Sequence, residues 1–476
     1  MGGPAGMGGP GGRGGPGMPG YMGGAGGKKV VTKKADSKKA AVKKEAPEAI
    51  DNERLPPGYK VPQEPPDALT TTVEWIPEDP FPGEKPGENK VQRATLRRYQ
   101  AILASGDFKE GEKQFVGDIM RWKLSMLTRK EKRETAADWR EKQIQKDLSP
   151  QFYPSKGNPK TVRKFLLKFV ADEAPKLFEF HVIARLNGAI LLSELCDIPE
   201  TDGDNKSPAI PCVRGGPPLM EMVKDEKQLT AVRIWGVNGL VRLAILPEVN
   251  AQLRAQIVET LVAQMNSSGK EHGWYQMRLA EGLGKLNVIQ NQDKRPFVPQ
   301  ALARVLTDTE RPWIVRAEAA QSLGRLPYDS NIDVGLLAYE MARLAQQMTE
   351  AYNKQPKLSI WKLCFMKVYG GFKPLEEDDG SKQKRGLLAQ VDSRPALSTY
   401  KKTVQESFEL VLPLVVKVVG EDKEVDVSLA NLKKWLDGNA PKNFKIHADE
   451  EPITSKPSTA TQIPNAEPAP LSAQGR

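Results

Sequence analysis

The sequence predicts an all-α protein, an α-solenoid of helical pairs with disordered termini. The main observation is one helical phrase that occurs three times, at Val232–Leu243, Tyr275–Leu286 and Val315–Leu326. Corresponding leucines lie 43 and 40 residues apart, at Leu240, Leu283 and Leu323. A period of ~20–50 residues is typical of an array in which each helical pair buries its apolar face against the next. The amino-terminal region differs, because Gly and Pro dominate it.

Residues 1–89 predict a tail and a spacer. Residues 1–50 are a Gly/Pro-rich and Lys-rich tail with too little apolar surface to offset the entropy of ordering. Residues 51–89 are a proline-rich, extended spacer. Within the spacer, residues 70–76 are expected to form a short β segment. Val73, Trp75 and Ile76 are expected to hold it against the helical body.

From residue 90 onward, apolar residues recur at helical spacing. Residues 90–159 are expected to hold amino-terminal helices, and Gly106 is expected to end the first of them. The predicted spans are Val91–Ala104, Glu112–Leu127 and Thr128–Leu148.

Residues 160–350 are assigned to the repeats. Two helices within residues 160–195 are interpreted as a degenerate fourth copy, because Asn187-Gly188 aligns with Asn238-Gly239 at an offset of 51. The Pro/Gly/Asp-rich stretch Ile198–Pro218 is interpreted as an inserted loop, and such loops often lie on the binding face of a repeat array.

The last copy shows which residue types the repeat uses. Ala319, Ala320 and Leu323 fall on one helical face, where small side chains let neighbouring helices approach closely. A second helix is expected after each copy, at Ala251–Met265, Val298–Leu306 and Val334–Met348. The structural positions of the repeat are Val232, Arg233, Leu240, Leu283, Val315, Arg316, Ala319, Ala320, Leu323 and Gly324.

Two helices, a period near 40 and this pattern of Val-Arg, small residues and Leu-Gly together resemble the HEAT repeat family, including the type found in phycobilisome lyases. The resemblance implies that Arg233 and Arg316 hydrogen-bond between adjacent repeats; an arginine ladder for anionic ligands is the alternative. The middle copy departs from the pattern, because Gln276 replaces the arginine. Large aromatic side chains more often pack in a core than form a ligand site, and this applies to Trp235, Trp274 and Trp313.

Residues 351–440 are expected to form carboxyl-terminal helices that cap the solenoid. The expected features are a buried helix Leu358–Tyr369 stopped by Gly370-Gly371, a charged loop Pro374–Ala396, a helix Leu397–Val419 that Pro413 kinks or splits, and a last helix Val427–Leu436. The acidic run at residues 376–379 is interpreted as a solvated loop. Residues 441–476 are expected to be a disordered tail.

The net charge of +10 is concentrated in the tail, since residues 1–50 hold nine basic and three acidic residues. Four lysine pairs account for most of it: Lys28, Lys29, Lys33, Lys34, Lys38, Lys39, Lys43 and Lys44. They are interpreted either as a flexible polybasic arm for an anionic partner or as a solubilising tail. No aromatic residue lies among them to stack on bases.

Catalytic and metal-binding patterns are not found in the sequence. The three cysteines, Cys196, Cys212 and Cys364, form no CxxC pair and are expected to be small, partly buried thiols. The three histidines are not in HExxH spacing, and neither a phosphate-binding GxxxxGK[ST] loop nor a GxSxG elbow occurs. We therefore expect a protein that is not an enzyme, with no cofactor and no metal site.

The leading hypothesis is a non-catalytic helical-repeat scaffold that mediates protein–protein interaction. The alternatives are a polyanion-associated protein that contacts nucleic acid or an anionic membrane surface through its lysine pairs, and an enzyme of HEAT-like lyase type. A monomer with an unidentified protein partner is expected. The sequence shows no apolar run of membrane-spanning length and no secretory signal, so a cytoplasmic location is expected. A membrane anchor lost through a misplaced start codon is the alternative.

Overall fold

The computed structural model describes residues 70–83, 89–149, 161–200, 209–246, 249–373, 386–420 and 425–453. These residues are mostly helical, and the prediction of an all-α protein is confirmed. The lysine pairs, the acidic run at 376–379 and residues 454–476 lie outside the described residues. None of the helices in the described part of the chain is both long and apolar enough to cross a membrane.

The amino-terminal helices are α1 (Lys90–Ser105), α2 (Glu112–Ser125), α3, which joins Ala136–Trp139, the π-helical Arg140–Gln145 and Lys146–Leu148, and α4 (Thr161–Glu173). The central helices are α5 (Val182–Glu194), α6 (Gly216–Lys224), α7 (Thr230–Ala244), α8 (Ala251–Ser267), α9 (Gly273–Lys285), α10 (Phe297–Thr307) and α11 (Trp313–Arg325). The carboxyl-terminal helices are α12 (Val334–Lys354), α13 (Ile360–Phe372), α14 (Leu387–Ser393), α15 (Lys401–Val419) and α16 (Asp426–Gly438).

Several helix ends follow from local side-chain chemistry. Gly106 ends α1 in the left-handed conformation, with φ of 79°, as the sequence predicts. Asn250 Oδ1 accepts a hydrogen bond from the Leu253 N–H at 2.7 Å and so caps the start of α8. Asp333 caps α12 in the same way, through the Leu336 N–H at 2.8 Å.

Two short strands lie near the predicted loop Ile198–Pro218, one ending at its first residue and one inside it, and α6 begins within it at Gly216. β1 (Cys196–Ile198) pairs antiparallel with β2 (Ile210–Pro211). The Cys212 N–H extends the pairing by donating to the Leu195 carbonyl at 2.8 Å.

Helices α5, α7, α9, α11 and α13 form one parallel row, which we call the helix row. At the amino-terminal ends of α11 and α13, the rings of Trp313 and Trp361 lie 6.0 Å apart. At the carboxyl-terminal ends of the same helices, Gly324 lies against Gly371. Because like ends meet, the two helices are parallel. The other neighbours meet in the same sense: Arg185 with Gln228, Ser193 with Gly239, Arg233 with Tyr275, Val241 with Gly282, Gly273 with Pro312, and Gly284 with Ser322.

A second layer of helices, α6, α8, α10 and α12, packs on one side of the helix row. The helices that carry the three copies of the repeated phrase are α7, α9 and α11. Each packs more extensively against the helix before it than against the helix after it. The sequence interpretation placed the partner helix after each copy, so it reversed the order within the pair. The core lies between the two layers and contains fully buried leucines, among them Leu240, Leu261, Leu283, Leu302, Leu323 and Leu337.

The alignment of Asn187-Gly188 with Asn238-Gly239 is wrong in structural terms. Asn187 is buried, whereas Asn238 is exposed. Gly188 lies against Leu177, as Gly236 lies against Val223, so the equivalent glycines are 48 residues apart rather than 51. The offset of 51 residues between the two dipeptides therefore exceeds the structural offset by three residues, almost one helical turn.

Gly370 and Gly371 do not stop α13, which continues to Phe372. Their backbone lies against α11 instead: a Cβ built on Gly371 would come within 2.6 Å of the Ala320 carbonyl oxygen. The absence of side chains therefore serves a close helix contact rather than a helix end.

The spacer residues 70–83 contact the body differently from the prediction. No strand forms there, and Val73 and Ile76 are 62% and 74% exposed. The Trp75 N–H donates to Thr128 Oγ1 at 2.9 Å, and Glu74 pairs with Arg129 at 2.9 Å. The segment is thus held by Trp75 and Glu74, because its backbone groups find side-chain partners instead of a neighbouring strand.

Three expectations for the carboxyl-terminal third are corrected. Pro413 lies inside α15 without splitting it, and its ring is on the exposed side. Residues 387–393, predicted as loop, form α14 because Leu387 and Val391 are buried. Residues 441–453, predicted to be a disordered tail, pack on the body through fully buried Ile446 and Ile453.

Candidate functional site

The outward side of the helix row carries exposed or partly exposed side chains on every helix, and we call it the helix-row face. Its side chains occur at helical spacing, and all but Glu318 are at least partly exposed. They are Ile183, Leu186, Ile190 and Glu194 on α5; Ile234, Trp235, Asn238 and Arg242 on α7; Trp274, Arg278, Glu281 and Lys285 on α9; Ile314, Glu318, Gln321 and Arg325 on α11; and Leu363, Met366 and Lys367 on α13.

The first turns of the helices give this face an apolar edge. Trp274 is 57% exposed and Leu363 is 46% exposed, and Ile314 lies partly exposed on the helix between them. The expectation that Trp274 packs in the core is therefore wrong, whereas Trp235 and Trp313 are partly buried against it. Residue type alone does not distinguish the exposed tryptophan from the two partly buried ones. The position of each tryptophan on its helix, relative to the apolar residues that face the core, could have distinguished them.

The last turns of α7, α9 and α11 give the face a basic edge, formed by Arg242, Lys285 and Arg325. Arg242 donates to the Ser193 carbonyl at 2.9 Å, and Lys285 pairs with Glu281 at 2.7 Å. These groups also lie at helix carboxyl termini, where positive charge is favourable. The face is thus apolar at one edge and basic at the other.

A buried ion pair crosses the middle of the face. Lys367 of α13 contacts the carboxylate of Glu318 on α11 and donates to the Gln321 side-chain oxygen at 3.3 Å. Glu318 is only 1% exposed, so its charge depends on Lys367 for compensation. The pair fixes how α11 and α13 lie together.

Arg233 and Arg316 are buried between helix pairs and repeat one hydrogen-bond pattern. Arg233 donates to the Val223 carbonyl at 3.2 Å and to the Gln264 side chain at 2.8 Å. Arg316 donates to the Leu306 carbonyl at 3.0 Å and to the Gln347 side chain at 2.6 Å. Each arginine thus joins the end of its own partner helix to the next helix of the second layer.

The two arginines are 3% and 2% exposed. Burial lowers the pKa of Arg316 to about 10, which still leaves it charged at neutral pH. Burial also raises the pKa of Tyr275, whose hydroxyl accepts from Arg233, to about 12. All the other repeat positions singled out in the sequence are buried as well: Val232, Leu240, Leu283, Val315, Ala319, Ala320, Leu323 and Gly324.

In the middle copy, where Gln276 stands at the arginine position, an arginine from a loop makes the equivalent contacts. Arg311, between α10 and α11, donates to the Met265 carbonyl at 3.1 Å and to the Gln276 side-chain oxygen at 3.0 Å. Gln276 in turn donates to the Glu271 carbonyl at 2.7 Å. Sequence reasoning noticed Gln276 but missed Arg311, because the contact joins residues 35 positions apart without a recurring motif.

Two further buried clusters of titratable groups lie away from the face. Burial raises the pKa of Glu340, on α12, to about 7, although Arg343 bonds to it at 3.3 Å. Near the amino terminus, Asp147 accepts from Tyr99 at 2.8 Å and contacts buried Lys123. Neither Glu340 nor Lys123 is more than 5% exposed, so a substrate has no direct access to them.

The three cysteines are free; Cys212 and Cys364 are buried and Cys196 is half-buried. Burial raises the pKa of Cys212 to about 11 and that of Cys364 to about 12, so both thiols are protonated at neutral pH. Within the described ranges, no three His, Cys, Asp or Glu side chains are grouped so that they could hold a metal ion.

A polar depression of about 830 Å³ lies where two interhelical loops meet the segment after α16. Residues of both charge signs line it, including Asp293, Lys294, Asp329 and His447. Gln290 donates to Asp329 across it at 3.1 Å. Gln290 and Asp329 already bond to each other and the depression is open to solvent, so the helix-row face is the stronger candidate site.

The described residues therefore define an all-α protein with a parallel helix row. Neither a protein-family model, nor a curated protein, nor a solved structure matches the chain.

Proposed function

We propose that the chain is a non-catalytic α-solenoid of HEAT-like helical pairs that binds a protein partner on its helix-row face. The two-layered packing and the repeated bonds of Arg233 and Arg316 support the architecture. Buried Arg233 and Arg316 are engaged in joining helices, which favours a structural role for them over a catalytic one.

The observation that carries the proposal is the exposure of Trp274. An indole that is 57% exposed leaves a large apolar surface in water, and it stands beside partly exposed Ile314 in the helix row. Contiguous exposed apolar surface marks interaction sites, and tryptophan is enriched among the residues that carry binding energy. The fold alone does not establish binding, so the proposal stands on this side chain.

The test is quantitative affinity purification with the full chain, comparing wild type, Trp274→Ala and Val427→Ala. Val427 is a matched control, because it is 73% exposed but lies on α16, outside the helix row. We expect one protein to be enriched by wild type and by Val427→Ala and to be reduced about tenfold or more by Trp274→Ala. Equal enrichment by all three chains, or none by wild type, overturns the proposal.

A second candidate function rests on the charge of residues 1–50. Their nine basic residues against three acidic ones favour contact with nucleic acid or an anionic membrane surface. Replacing the eight paired lysines with glutamine in the full chain should then abolish salt-sensitive binding to nucleic acid and to anionic vesicles. Binding that survives the replacement contradicts this candidate.

A further inference from the structure

The helix-row face indicates the chemistry of the partner, an inference that rests on the proposed function. We propose that the face binds an amphipathic helix whose large apolar side chains are flanked by carboxylates. The apolar side chains lie on the edge formed by Trp274, Ile314 and Leu363, and the carboxylates face Lys285 and Arg325.

The spacing of the apolar edge fits a helix laid across the row. Trp274, Ile314 and Leu363 stand in the first turns of α9, α11 and α13, which are neighbours in the row. Neighbouring helix axes are typically about 8–10 Å apart. A partner helix rises 1.5 Å per residue, so it covers each step in about five to seven residues. One large apolar side chain per two turns would therefore meet one anchor on each helix.

The depth of the face fits the width of a helix. From Trp274 to Lys285 along α9 there are eleven residues, which is about 16 Å of helix. A helix with its side chains is about 10–12 Å across. A partner helix that lies between the two edges is about 8 Å from each, a distance that the long lysine and arginine side chains of the basic edge can span.

The charge of the face selects the sign of that flank. Its basic residues outnumber its acidic ones. Arg278 and Lys285 share one carboxylate, that of Glu281, so one positive charge is left over. Glu318 is already paired with Lys367. The Arg325 guanidinium, by contrast, has no hydrogen bond or ion pair with another residue in the described part of the chain. Carboxylates on the partner would compensate this cation, and a basic flank would be repelled.

The direct test is fluorescence anisotropy of the full chain with three labelled helical peptides of about 20 residues. The first carries leucine once per two turns and glutamate on the flank. The second replaces glutamate with lysine, and the third replaces leucine with serine. We expect the first to bind at least about tenfold more tightly than either of the others. Equal binding of the acidic and basic peptides overturns the proposal.

Variants of the chain locate the binding. Trp274→Ala should weaken the first peptide about tenfold, and Arg325→Glu should weaken it several-fold, more so at low salt. The exposed controls Val427→Ala and Lys402→Glu should change it less than about twofold. An Arg325→Glu chain with a lower unfolding temperature but unchanged affinity would show that Arg325 serves the helix terminus alone, which contradicts the proposal. Stronger binding to anionic vesicles than to the peptide also contradicts it.

The two experiments together distinguish a failure of the inferred partner chemistry from a failure of the scaffold function. If affinity purification returns a partner that depends on Trp274 while no peptide binds, the chemistry inferred here is wrong and the scaffold function stands. If neither the peptides nor a Trp274-dependent partner bind, both fail.

Discussion

The closest contact in the helix row makes a strong prediction for Gly324→Ala. A Cβ at this position would lie 2.6 Å from the Gly371 Cα and would overlap the Gly371 carbonyl oxygen. Both obstacles are backbone atoms, so no rotamer change relieves them, and α11 and α13 must separate. Forcing an extra group into a packed interior lowers the free energy of unfolding by about 1–3 kcal/mol. We expect about 3 kcal/mol for Gly324→Ala, because the neighbouring backbone atoms are rigid.

Thermal unfolding followed by circular dichroism measures this effect. For the described body, about 3 kcal/mol corresponds to a Tm about 4 °C lower. Gly438→Ala is the matched control, because Gly438 also lies in a helix but a Cβ there would meet nothing within 4 Å. Its Tm should be unchanged or slightly raised. A Gly324→Ala protein as stable as this control would refute the backbone contact between α11 and α13.

Three further predictions concern buried groups. Arg316→Met should lower the free energy of unfolding by about 3 kcal/mol in chemical denaturation, because the Gln347 oxygen and a helix-end carbonyl lose a buried donor. Burial raises the pKa of Glu340 from 4.5 to about 7, so the native state resists ionisation of this carboxyl. The free energy of unfolding should therefore fall by up to about 3 kcal/mol as the pH rises from 4.5 to 7. Glu340→Gln should abolish this part of the pH dependence, and an unchanged dependence of stability on pH would contradict the prediction. Ile446→Ala should release the segment after α16, seen as faster hydrogen exchange at the Asp333 N–H, which donates to the Ile446 carbonyl at 2.8 Å.

Helices were predictable from the sequence because their signal is local. Apolar spacing, Gly106 and the repeated Leu-Gly phrase each act within a few residues, and the helices they predict are present. Pairing is not local, so the order within each helical pair was reversed. Gly370 and Gly371 show the limit well: glycine ends a helix or permits close packing, and only the opposing backbone of Ala320 decides which.

The candidate site was less predictable than the fold. Trp235, Trp274 and Trp313 have the same side chain, yet only Trp274 is largely exposed. The substitution of Gln276 was visible in the sequence, but its compensation by Arg311 from the next loop was not. Both facts depend on which helices are neighbours, and the residue types alone do not encode that.

Photo-crosslinking with the full chain shows whether a protein partner contacts the helix-row face. A photo-reactive residue replaces Arg278, which lies on the face four residues after Trp274, or Lys402, which is exposed outside the helix row. We expect the partner enriched by the wild-type chain to crosslink at position 278 and not at position 402, and Trp274→Ala to abolish the crosslink. Crosslinking of that partner at position 402 alone, or crosslinking at 278 unaffected by Trp274→Ala, would show that the partner does not bind through the helix-row face.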